Sequence, residues 1–83
     1  MSECWVVTRA RMDEDGDYEG TEVLRVCFRY RAAREVVDGY VRALDVVFDT
    51  HRHDDDGLLM EYSVTFTEGV TYTVTRTPLD RSR

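Results

Sequence analysis

Asp49, His51 and His53 are the side chains in this sequence best suited to bind a metal ion. They occupy alternate positions of a segment that we expect to be a strand, so they project from one face of it. Two imidazoles and a carboxylate suit zinc or iron. One hypothesis is therefore a metal-binding or metal-sensing protein, although the same residues also fit a polar strand end entering a turn at 53–57.

A second group of possible ligands lies in the acidic segment 12–20, where aspartates alternate as they do at the start of a calcium-binding loop. Such a loop needs glycine at its sixth position and glutamate at its twelfth, and this chain has Tyr18 and Leu24 there. We therefore interpret the segment as a surface loop that could attract a basic partner and is not part of the fold. Its acids are Asp13, Glu14, Asp15, Asp17 and Glu19.

Residue patterns typical of catalysis are missing from the sequence. No serine lies in a nucleophile elbow, and no glycine-rich phosphate loop occurs. Cys4 and Cys27 are too far apart for a C-x-x-C pair, and we expect two free thiols in a cytoplasmic protein. We also find neither a signal peptide nor an apolar run of about 20 residues. The sequence predicts a non-enzyme without a cofactor.

Hydrophobic periodicity predicts the elements that position these residues. The 83 residues suffice for one domain, 1–83, with a thin core. We expect an α+β fold of order ββαβββ, an antiparallel sheet of about five strands backed by one helix. The predicted strands cover 4–11, 21–30, 45–52, 58–67 and 70–77, and the helix covers 31–44.

The last two strands have a predictable register. A two-residue turn would mix their apolar and polar faces, whereas a three-residue loop at 67–69 pairs Val64 with Tyr72 and Tyr62 with Val74. That loop also puts Gly69 where a left-handed residue is needed. The opposite face of this hairpin carries mainly threonines, and we expect it to be solvated.

The first hairpin has apolar residues on both faces. Pairing Val6 with Val26 puts that pair on the helix side and leaves Trp5, Val7 and Val23 on the reverse side. Because only short segments remain to cover them, we predict that these three form a partner-binding surface.

The charge balance narrows the choice of partner. The chain has 17 acids and 11 bases, all of them arginine, and a formal net charge of −6. Such a charge disfavours direct binding to nucleic acid and to anionic membranes. We therefore expect a protein partner, with a basic surface as the natural complement.

The hairpin that runs into a helix, from Val23 through Phe28 to Tyr40 and Val41, resembles short bacteriophage accessory proteins. The small size and acid excess are similar to those of anti-CRISPR and other DNA-mimic inhibitors. The resemblance implies a phage or mobile-element inhibitor or modulator of a host protein. The alternatives are the metal-binding protein described above and a homo-oligomeric structural module joined through the Trp5 face.

Overall fold

The elements of the chain follow the predicted order ββαβββ. The computed structural model describes residues 3–13, 15, 17–42, 46–53, 57, 59–66 and 69–78. The strands are β1 (Glu3–Met12), β2 (Tyr18–Cys27), β3 (Val46–His53), β4 (Leu59–Phe66) and β5 (Val70–Pro78), and the helix is α1 (Tyr30–Val41). The predicted α+β class, with one helix and a five-stranded antiparallel sheet, is confirmed.

The strands pair in the spatial order β2-β1-β5-β4-β3. Local hairpins supply the β1–β2, β3–β4 and β4–β5 pairs, and β1 pairs with the distant β5. That long-range pairing places Val7 opposite Val74 and joins the two halves of the chain into one sheet.

Helix α1 packs through the small and apolar residues of one face. Ala33 and Val37 are buried, and Val36 and Val41 are partly buried against the core. The helix has no side-chain N-cap, and its first turn is closed by the backbone bond from Ala33 N to Arg29 O. Tertiary packing therefore stabilises it more than capping does. No helix in the described part of the chain is long and apolar enough to cross a membrane.

The core lies between α1 and one face of the sheet, which we call the helix-facing side. The buried cluster comprises Trp5, Val7, Cys27, Ala33, Val37, Tyr62, Val64, Phe66, Tyr72 and Val74. Strands β1, β2, β4 and β5 all contribute to it. A core one layer deep is what an 83-residue chain can build from a single sheet and a single helix.

The β4–β5 register is the one the alternation predicts. Val64 pairs with Tyr72, and Tyr62 pairs with Val74. Gly69 has a φ of +79° and donates its N–H to Phe66 O at 3.0 Å. The predicted left-handed glycine is therefore confirmed.

Candidate functional site: the open face of the sheet

The structure places the predicted contact residues of β1 on the helix-facing side. Trp5 is 8 % exposed and Val7 is fully buried. The Trp5 ring lies edge-on to that of Tyr30, the first residue of α1, with ring centroids 5.2 Å apart. The prediction that Trp5 and Val7 form an exposed surface is therefore wrong, because both residues belong to the core beneath the helix.

A β-bulge explains why Val23 does not share the side of Trp5 and Val7. The predicted pairing of Val6 with Val26 is correct, but the register shifts between Val7 and Thr8 because β2 contains one extra residue, Leu24. Leu24 packs against the core, whereas Val23 and Val26 both turn away from it and are 63 % and 49 % exposed. Of the three predicted apolar contact residues, only Val23 lies on the surface.

The side of the sheet away from α1 is a continuous surface, which we call the open face. Cross-strand pairing arranges it in three rows, each running from β2 towards β3. The first row is Val26, Val6, Thr75, Glu61 and Arg52; the middle row is Val23, Thr8, Thr73, Ser63 and Thr50; the third is Thr21, Ala10, Thr71 and Thr65. Among the described elements, only α1 lies outside the sheet, and it packs on the other side.

The open face has almost no charge, although the chain as a whole is strongly charged. Its charged side chains in the three rows are Arg52 and Glu61, which form an ion pair with Arg52 Nε and Glu61 Oε1 3.4 Å apart. The two charges cancel, while the chain has a formal net charge of −6. The excess negative charge therefore lies elsewhere on the molecule.

Several hydroxyl groups of the open face already have hydrogen-bond partners within it. Ser63 Oγ and Thr73 Oγ1 are 3.3 Å apart, and Thr65 Oγ1 and Thr71 Oγ1 are 3.2 Å apart. A buried hydroxyl without a partner costs about 1–3 kcal/mol. Because each pair shares one hydrogen bond, covering it with a partner would leave one O–H donor unsatisfied and not two, which reduces that penalty.

Sequence reasoning missed Val6, Val26 and Ala10 as parts of the open face. The threonine stretch of β5 is recognisable from its alternation, but its neighbours across β1 depend on the long-range pairing of β1 with β5. That pairing puts Val6, Thr8 and Ala10 directly beside the threonines. The only local signal is the shared alternation of the two strands.

The acidic loop is shorter than predicted, and hydrogen bonds within it connect its aspartates. Strand β2 begins at Tyr18, so Glu19 is an exposed strand residue. Asp13 Oδ1 accepts hydrogen bonds from the backbone N–H groups of Asp15, at 2.9 Å, and Asp17, at 2.8 Å. The ligand oxygens of these three aspartates lie within 4.8 Å of one another. Glu14 lies outside the described residues.

The predicted metal ligands lie on strand β3, at one edge of the sheet. Asp49 and His51 pair with Val64 and Tyr62, which puts both on the helix-facing side, and His53 follows a register shift. The His51 ring packs against Tyr62, with centroids 4.8 Å apart. Within the described ranges, the aspartates of the acidic loop are the only three potential ligands whose atoms gather within 4.8 Å. Metal binding by the β3 residues stays a prediction.

Comparison of the chain with protein-family models, with curated proteins and with solved structures found no match. The function of the chain must therefore be inferred from its own geometry.

Proposed function

We propose that this chain is a small, non-catalytic, cytoplasmic protein-binding module that contacts its partner through the open face. The observation that carries the proposal is a wide sheet surface with no net charge on a chain of formal net charge −6. Protein interfaces are depleted of charge at their centres, and the rest of a protein surface is not. The open face shares this depletion of charge.

The physical character of the open face favours a protein partner. Valine, alanine and threonine offer apolar contact, and the paired hydroxyls reduce the desolvation cost. Nucleic acid would require basic side chains, and the single arginine of the three rows is paired with Glu61.

The acidic loop supports a partner that also has a basic region. Asp13, Asp15 and Asp17 concentrate negative charge beside the end of β1. Clustered charge of this kind mainly raises the rate of encounter with an oppositely charged surface. We propose that the module inhibits or modulates a host protein in this way.

Both thiols support a role without covalent catalysis. Cys4 and Cys27 are buried and unpaired, and they belong to opposite sides of the sheet. A nucleophile has to be accessible to its substrate. Buried free thiols are also typical of proteins in a reducing compartment.

The test is affinity capture of proteins from the organism that encodes the chain, with variants matched in charge. Thr73 lies in the middle row on the central strand β5, so Thr73→Arg places a cation at the centre of the open face. An unpaired charge buried there costs about 3–5 kcal/mol, so capture should weaken at least about 100-fold. Ala32→Arg adds the same charge at an exposed position of α1 and should capture normally.

Circular dichroism would show that both variants retain the fold. Proteins that bind the wild type and Ala32→Arg, but not Thr73→Arg, would support the proposal. Equal capture by all three chains, or no specific capture by the wild type, would contradict it.

A further inference from the structure

We infer that the open face binds a second copy of this chain, so that two sheets stack face to face about 10 Å apart. This inference rests on the proposed function, which assigns the open face as the binding surface. The second copy would occupy that face reversibly, and a host protein would compete with it there. Charge, symmetry and area support the inference.

The charge balance of the open face is compatible with self-association. Two copies bring together bodies that each have a formal net charge of −6, so any contact surface that shares this charge repels itself. The open face has one cation and one anion, already 3.4 Å apart in each copy. Two open faces can therefore meet without placing unpaired like charges in the contact.

Two-fold symmetry about an axis along the middle row gives matching surfaces. The axis lies between the sheets and perpendicular to the strands, so each strand covers the same strand of the partner. Val23 then meets the partner's Val23, and Val6 meets the partner's Ala10. The apolar half of the open face, on β1 and β2, therefore covers the same half of the second copy, and the hydroxyl half covers the hydroxyl half. An axis parallel to the strands would instead place the valines of β2 over Arg52 of the partner subunit.

The size of the open face fits a weak, reversible dimer. The three rows cover the five residues from Val6 to Ala10 along β1, about 17 Å, and five strands spaced about 4.8 Å apart make the face roughly 24 by 17 Å. That is about 400 Å² for each copy, roughly half of the 800 Å² per partner on which stable interfaces centre. We therefore expect dissociation in the micromolar range.

Sedimentation equilibrium of the purified full chain over a concentration series tests the inference. The wild type and Ala32→Arg should change from one chain mass to two as the concentration rises. Thr73→Arg should remain a monomer, because Thr73 lies on the axis and each introduced guanidinium would face its own copy. Thr73→Asp should remain a monomer for the same reason.

Mixing the two variants provides the decisive measurement. The symmetry axis places the guanidinium introduced in one chain against the carboxylate introduced in the other, so an equimolar mixture of Thr73→Arg and Thr73→Asp should form heterodimers. Recovery of the dimer in the mixture supports the inference and also shows that both variants fold.

A wild type that stays monomeric, a dimer that Thr73→Arg does not affect, or a mixture that fails to associate would overturn the inference. A monomeric wild type that still captures another protein through the open face would overturn only this inference, because the proposed function would stand.

Discussion

Tyr62 shows how a single side chain is held in the thin core. Its ring is 5 % exposed, and the Arg34 guanidinium lies over it, with Arg34 Cζ 3.8 Å from the ring centroid. Arg34 also donates a hydrogen bond from Nη1 to Tyr30 Oη at 2.8 Å. This contact joins the middle of α1 to the centre of β4 and combines apolar burial with a cation–π interaction.

Burial raises the pKa of the Tyr62 hydroxyl, and the positive charge of Arg34 opposes the shift without cancelling it. The unfolded chain therefore loses this proton first as the pH rises above about 10. The resulting stability is fully present below that pH and is lost as the pH rises through the pKa of the folded state. We expect the free energy of unfolding to fall less steeply with pH in Tyr62→Phe than in the wild type. The two slopes should differ by at most about 1.4 kcal/mol per pH unit, the contribution of one titrating group.

Urea unfolding between about pH 8 and pH 11.5 would measure the two slopes. Equal slopes for wild type and Tyr62→Phe would show that the buried hydroxyl does not contribute to alkaline unfolding.

At the scale of elements, the end of β1 is attached to the β4–β5 turn. Met12 N donates to Gly69 O at 2.9 Å, and a Cβ added at Gly69 would lie 3.0 Å from the Met12 carbonyl oxygen. Gly69 is therefore required both for its φ of +79° and for its close approach to another backbone.

Gly57 makes a matched comparison, because its φ of +82° is similar and nothing lies within 4 Å of an added Cβ. Gly57→Ala should lower the free energy of unfolding by roughly 1–2 kcal/mol, the cost of a left-handed alanine. Gly69→Ala should lose that amount and on the order of 1 kcal/mol more, because Met12 must move. Chemical denaturation of both variants would measure the difference, and equal losses would show that the approach of Met12 contributes nothing.

The contrast between the two hairpins explains how much of the fold could be predicted from sequence. In the β4–β5 hairpin, strict alternation and one glycine determine the register, so the pairing of Val64 with Tyr72 could be predicted. In the β1–β2 hairpin the pairing of Val6 with Val26 could also be predicted, but alternation does not show which apolar side the helix covers. The extra residue Leu24 reverses the pattern along β2, and no local signal marks it.

At the scale of the whole molecule, the pairing of β1 with β5 decides both the core and the candidate site. It aligns Val7 with Val74 on the helix-facing side, and so places Trp5 under α1. The same pairing aligns Thr8 with Thr73 on the open face. Local periodicity contains no information about contacts between residues so far apart in sequence, which is why the elements could be predicted and the arrangement of the open face could not.

Salt should act in opposite directions on self-association and on the capture of a basic partner. Two copies, each of formal net charge −6, repel one another at long range even if their open faces are neutral. Raising the ionic strength from about 0.01 M to about 0.1 M shortens the Debye length from roughly 30 Å to roughly 10 Å, which is well below the 42 Å length of the molecule. Self-association measured by sedimentation should therefore strengthen by a few-fold, whereas capture of a basic partner through the acidic loop should weaken. Self-association that weakens with added salt would mean that opposite charges hold the two copies together, and the dimer would then have to use a surface other than the open face.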